Sequence, residues 1–213
     1  MKIIIVGGVA GGMSAATRLR RLMEDAEIII FEKGPFVSFA NCGLPYYVSG
    51  EIASRDSLLV QTPESLKARF NLDVRPFHEV VQISPENHTV TVRHDGQEFT
   101  EGYDKLILSP GAKPFVPAID GLAEAKNAYA LRNVPDLDEI MAALDKHPKE
   151  AVVIGAGFIG LEMAENLAKR GLQVTIVEKA PHVLPPLDQE MAAFVQTELV
   201  KNGVRVIPSP VLY

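Results

Sequence analysis

Cys42 is the one thiol of the chain, and its surroundings, Ser38-Phe39-Ala40-Asn41-Cys42-Gly43-Leu44-Pro45-Tyr46, are the stretch best suited to covalent chemistry. A lone cysteine is by default an inert small hydrophobe. Gly34 and Pro35 place this one after a loop, and a position just past Asn41 sets it at the start of a helix, where the dipole favours a nucleophilic thiolate. With no second cysteine, an internal disulfide and a four-cysteine zinc site are both excluded. No metal site is expected.

Two glycine-rich turns supply the other chemistry. In a strand-turn-helix of the G-x-G-x-x-G type the first Gly makes the bend, the second lets backbone approach a pyrophosphate, and the third lets helix and strand pack closely. Gly155-Ala156-Gly157-Phe158-Ile159-Gly160 fits in full. Glu178 closes the unit where a carboxylate hydrogen-bonds a ribose 2′-hydroxyl and repels a 2′-phosphate, so NADH is preferred over NADPH. The first turn, Gly7-Gly8-Val9-Ala10-Gly11-Gly12, departs from the pattern by placing Val9 where the second Gly is usual, yet Glu32 closes it in the same way. A tight turn without a ligand is the plainer reading of either; the two together, each with its acidic end, predict two bound nucleotides.

Those turns need strands and helices to hold them. Residues 2–32 and 151–178 repeat one plan: an apolar β-rich run, a glycine turn, a helical pattern and a second apolar run ending in Glu. Unbroken apolar runs suit strands buried on both faces of a parallel sheet, joined by a crossover helix. The fold class is therefore α/β, with two Rossmann-like units: a first domain over 1–120, carrying short strands at about 74–109, and a second over 121–213. After Glu178 the pattern gives one helix, Leu187 to Lys201, and one strand start, so the second domain reads as incomplete, and Tyr213 need not be a natural end. Thr62 is expected to cap a helix that starts at Pro63, and Asp95-Gly96 to turn a hairpin. Ser14, Arg18 and Arg21 fall at i, i+4 and i+7, one face of the first helix. A solvated face is the default, although guanidinium groups are well shaped for phosphates.

Composition narrows the class. The net charge of −6 provides no global basic field for nucleic acid. No apolar run reaches the roughly 18 residues that a membrane helix needs, and the first strand starts too early to leave room for a signal peptide. A cytoplasmic location is expected.

The tracts GGVAGGMSAATRLRR, SFANCGLPY, YDKLILSPGA, Leu131-Arg132-Asn133 and GAGFIGLEMAE closely resemble coenzyme A disulfide reductases and coenzyme A persulfide reductases, within the pyridine nucleotide-disulfide oxidoreductase family. Val9 agrees with this subgroup. The resemblance implies FAD in the first domain, NADH in the second, and a cysteine that forms a mixed disulfide with coenzyme A. It makes Cys42 the redox nucleophile, with Asn41 and Ser38 lining the thiol pocket. It assigns Ser14, Arg18 and Arg21, and more weakly Arg69, to coenzyme A, and Lys33, Val80, Val81, Ser109, Pro110, Gly111 and Arg132 to the flavin. It also implies a homodimer, built by a C-terminal domain expected beyond residue 213, as is a later flavin segment. NADH oxidases and peroxidases, which cycle the cysteine through sulfenic acid, are the nearest alternative; they usually carry Ser before the cysteine, so Asn41 and Pro45 argue against them. An inactive nucleotide-binding fragment is the third reading.

Overall fold

The run Ile3-Ile4-Ile5 is apolar without alternation because both of its faces are covered. It lies in strand β1 (Lys2–Val6), followed by helix α1 (Ala10–Leu22) and strand β2 (Glu27–Phe31). The computed structural model of the chain describes residues 1–208; Tyr213 and the question of the chain's end lie outside them. From Asn41 to Arg55 the chain leaves this first unit, making a 3₁₀ turn (Asn41–Gly43) and helix α2 (Leu44–Ser49), and it returns at Asp56. Helix α3 (Pro63–Phe70) and strands β3 (Asp73–Arg75), β4 (Glu79–Ser84), β5 (Thr89–His94), β6 (Gln97–Gly102) and β7 (Lys105–Leu108) complete it.

Four of these strands form a parallel sheet in the order β3-β2-β1-β7, and three form an antiparallel sheet in the order β4-β5-β6. Ile3, Ile5, Ile28 and Ile30 point to one side and pack with Met13 and Ala16 of α1 and with Leu66 of α3. Ile4, Ile29 and Phe31 point to the other, against Val90 and Val92 of the antiparallel sheet. Strict alternation within one run thus feeds two cores. The Thr62 cap is present as a reciprocal capping box with Ser65, and Asp95 and Gly96, at φ 48° and 76°, make the tight turn between β5 and β6.

The second unit comprises Asn41–Arg55 and the described residues from Pro114 on. It contains α4 (Val134–Leu144), β8 (Glu150–Ile154), α5 (Phe158–Lys169), β9 (Gln173–Glu178), α6 (Gln189–Lys201) and β10 (Arg205–Pro208). Its sheet is parallel, in the order β10-β9-β8. The expectation that an unbroken apolar run has both faces covered needs correction. β7 is only half-buried, since it sits at a sheet edge. β8 is likewise an edge strand, with Val152 and Ile154 65% and 47% exposed, so an apolar run alone did not guarantee two covered faces. Among the described residues no helix is long and apolar enough to cross a membrane.

Candidate active site

Both glycine turns are built alike. Gly7 and Gly155 stand at φ 99° and 98°, a region open to glycine. Their amides donate to Phe31 O and Val177 O, each at 2.8 Å. A Cβ on Gly12 would lie 1.8 Å from Gly7 O, and one on Gly160 2.0 Å from Gly155 O, so the third glycine of each turn is demanded by packing of helix on strand. At Gly157 a Cβ would meet nothing within 4 Å. The middle glycine is therefore not required by the chain itself, which explains how Val9 is accommodated at the equivalent place; any demand there comes from outside the fold.

The helices that leave these turns start without caps. Neither Val9 before α1 nor Gly157 before α5 offers a side-chain acceptor, and neither first turn holds an acidic residue. The first intrahelical bonds are Met13 N to Val9 O and Leu161 N to Gly157 O, which leaves the preceding amides without helical acceptors. By contrast α3 and α4 carry full capping boxes, Thr62 with Ser65 and Asn133 with Asp136. Uncapped, glycine-lined helix starts suit a pyrophosphate, whose charge complements the dipole.

Each strand-end glutamate clips its turn. Glu32 accepts from Gly8 N at 2.7 Å and Gly34 N at 2.8 Å; Glu178 accepts from Ala156 N at 2.5 Å and Ala180 N at 2.7 Å. Each carboxylate oxygen keeps a second lone pair for a ribose hydroxyl. Ser109 N donates to Val6 O at 2.8 Å, and its carbonyl closes over Gly7. Pro110 is exposed and Gly111, at φ 71°, turns the chain away. Lys33 lines an open cleft of about 470 Å³ with Gly34, Phe77, Glu79, Arg93, Asp95 and Gly96. Val80 packs into the core beside Val90, whereas Val81 falls at the bulge in β4 and is 37% exposed. In the second unit the Arg132 amide donates to Asp136 Oδ2 at 2.8 Å, joining the cap of α4, and Phe158 and Ile159 are exposed at the start of α5.

Cys42 lies in the 3₁₀ turn ahead of α2 and is exposed. Buried Leu44, Pro45 and Val48 anchor that short helix, and the neighbouring Asn41 keeps a buried Oδ1 without a hydrogen-bond partner. Within the first unit, Ser14, Ser38 and Arg69 meet in a second cleft of about 260 Å³, lined also by Met13, Thr17, Gln61, Leu66 and Phe70. Arg18 and Arg21 are exposed on α1 but are not among its lining residues. Thr17 and Gln61 were missed from the sequence. Thr17 was findable as the i+3 neighbour of Ser14; Gln61 carried no local signal. Among the described residues no group of three or more His, Cys, Asp or Glu is gathered for a metal.

Two strand-turn-helix-strand units, each with an uncapped glycine turn and a clipping glutamate, define an α/β protein of the double dinucleotide-binding, Rossmann-like class. The sequence pattern of the pyridine nucleotide-disulphide oxidoreductase family matches residues 1–211. The chain belongs to that family. It is 43% identical over 201 residues to a coenzyme A disulfide reductase of Staphylococcus haemolyticus, covering 93% of this chain and 45% of the relative. It is 38% identical over 212 residues to an NADH oxidase of Methanocaldococcus jannaschii, covering 98% and 47%. Its structure superposes on that of reduced CoADR-RHD from Bacillus anthracis with a TM-score of 0.95 at 55% identity, covering 97% of this chain and 38% of the other. The chain thus spans about half the length of the curated relatives it matches.

Proposed function

We propose that this chain forms the nucleotide-binding, thiol-bearing part of an FAD- and NADH-dependent reductase of coenzyme A disulfide, coenzyme A persulfide or a related small disulfide, acting through Cys42. The observation that carries the reading is Cys42 itself: the sole thiol, exposed, at the head of a helix anchored by buried Leu44 and Val48, in a chain whose two glycine turns are left uncapped. The uncapped amides fit the two dinucleotides. Gly7 to Gly12, Glu32, Lys33, Val80, Val81 and Ser109 to Gly111, with Arg132, would hold FAD; Gly155 to Gly160 and Glu178 would hold NADH in preference to NADPH. When bound, the flavin supplies two-electron chemistry and the nicotinamide the hydride.

The chain's own part is sulfur exchange. The Cys42 thiolate attacks one sulfur of the substrate disulfide, the other sulfur leaves as a thiolate that takes a proton, and Cys42 stays joined to the remaining half. One cysteine suffices because the substrate brings the second sulfur. Asn41 flanks the thiol, and within the first unit Ser14, Ser38, Arg69, Thr17 and Gln61 offer donors to a polar ligand, with Arg18 and Arg21 on the exposed face of α1 for phosphates. In this reading the whole protein is a homodimer working in the cytoplasm on a small thiol or disulfide, without nucleic acid or membrane.

Cys42→Ser tests it: flavin binding should persist while reduction of coenzyme A disulfide is lost, and retained turnover would refute the role. The relationship to an NADH oxidase favours a second reading, in which Cys42 is oxidised by peroxide to sulfenic acid. Turnover of NADH with peroxide but not with coenzyme A disulfide would select it.

A further inference from the structure

Residues 41–55 cannot hold their own shape. α2 has six residues, far fewer than a helix needs to persist alone in water, so the position of Cys42 is set by whatever α2 rests on. Leu44 and Val48, 2% and 0% exposed, lie at i and i+4 on one face of α2, and α2 packs against α5. Three polar ties secure the segment. Arg55 pairs with Asp138 of α4 through two bonds of 2.7 Å. Lys169 Nζ reaches Glu51 Oε1 at 2.5 Å, and Glu165 together with Glu51 holds that ammonium above its ordinary range, so it stays charged. Arg170 Nη1 donates to Val48 O at 2.9 Å.

The last tie differs in kind. Val48 O belongs to the final turn of α2, whose carbonyls have no acceptor role left within the helix. A guanidinium there makes a charge-assisted bond and faces the negative end of the α2 dipole. It fixes α2 at the end opposite Cys42, and two turns of hydrogen-bonded backbone carry that constraint to the thiol. Asp145 Oδ1, 3.9 Å from Arg170 Nη2, steadies the guanidinium from α4's side.

We propose that Arg170 is a positioning residue for Cys42, seating α2 on the end of α5 and so setting the reactivity of the thiol; it rests on the reading of Cys42 as the working thiol. Because the chain has one cysteine, alkylation by iodoacetamide reports that site alone. In Arg170→Gln the second-order rate should change by at least about threefold, the scale of coupling between neighbours in one network, and the pH midpoint of the rate should move. Arg170→Lys, which keeps a cationic donor, should recover part of both, and Lys201→Gln, in an exposed pair with Glu198, should alter neither. An unchanged rate and midpoint in folded Arg170→Gln overturns the proposal, as does a change that Arg170→Lys does not partly reverse. Should Arg170→Gln fail to fold, Arg170→Lys, which keeps the charge but loses the planar fork, must itself shift the rate and its pH midpoint, and an unchanged rate and midpoint in that variant overturns the proposal. Alkylation needs no turnover, so its outcome is separate from that of Cys42→Ser.

Discussion

At the scale of single residues the two turns separate what folding requires from what a ligand requires. Gly12 and Gly160 are closed to any side chain because backbone oxygens stand where a Cβ would go. Gly12→Ala is therefore expected to cost at least about 2 kcal/mol, seen as a fall in denaturant midpoint without added nucleotide. Glu178 clips Ala156 and Ala180, and in the proposed reading it also presents negative charge where a 2′-phosphate would lie. Glu178→Ala should weaken NADH binding and raise the ratio of NADPH to NADH affinity by about tenfold or more, equal to about 1.4 kcal/mol; titration calorimetry with both dinucleotides measures it. A ratio that stays put would remove Glu178 from the choice of cofactor.

Elements show the same division through their caps. The Thr62 box stabilises α3, and Thr62→Ala should cost about 1 kcal/mol, read from chemical unfolding. At α5 the sign is reversed: Gly157→Ser gives the bare helix start an acceptor and should raise stability by roughly a few tenths of a kcal/mol, while its hydroxyl competes for the amides that, in the proposed reading, bind a pyrophosphate. Dinucleotide affinity should fall as stability rises, a combination that a purely structural turn would not give. Much at this scale was legible beforehand. The Pro63 start of α3, the Asp95-Gly96 hairpin and both glycine turns were readable because each depends on residues within a few positions of one another. The exposed faces of β7 and β8 were not, since an apolar run records what a strand would tolerate and not which neighbours lie beside it.

For the molecule as a whole, two units with separate cores should answer separately to two ligands. NAD⁺ at a hundredfold excess over its dissociation constant should add about 2.7 kcal/mol to the stability of the unit that binds it. Hydrogen exchange should then slow in β8, β9 and α5 and stay unchanged in β1, α1 and β2; slowing confined to β1, α1 and β2 would reverse the assignment of the two turns. FAD should give the complementary pattern around β1, α1 and β2.

By itself the sequence determined that two glycine-rich turns, each closed by a glutamate, flank one thiol, because glycine spacing, strand-end glutamates and a solitary cysteine are facts of order along the chain. The tertiary structure alone decided which side chains share a surface. It gathered Ser14, Ser38, Gln61 and Arg69 into one cleft while leaving Arg18 and Arg21 out of its lining, and it brought Arg170 to the carbonyl of Val48, 122 positions away. Helical spacing states which face a residue occupies but not what that face meets, and only packing of the finished elements supplies the partner.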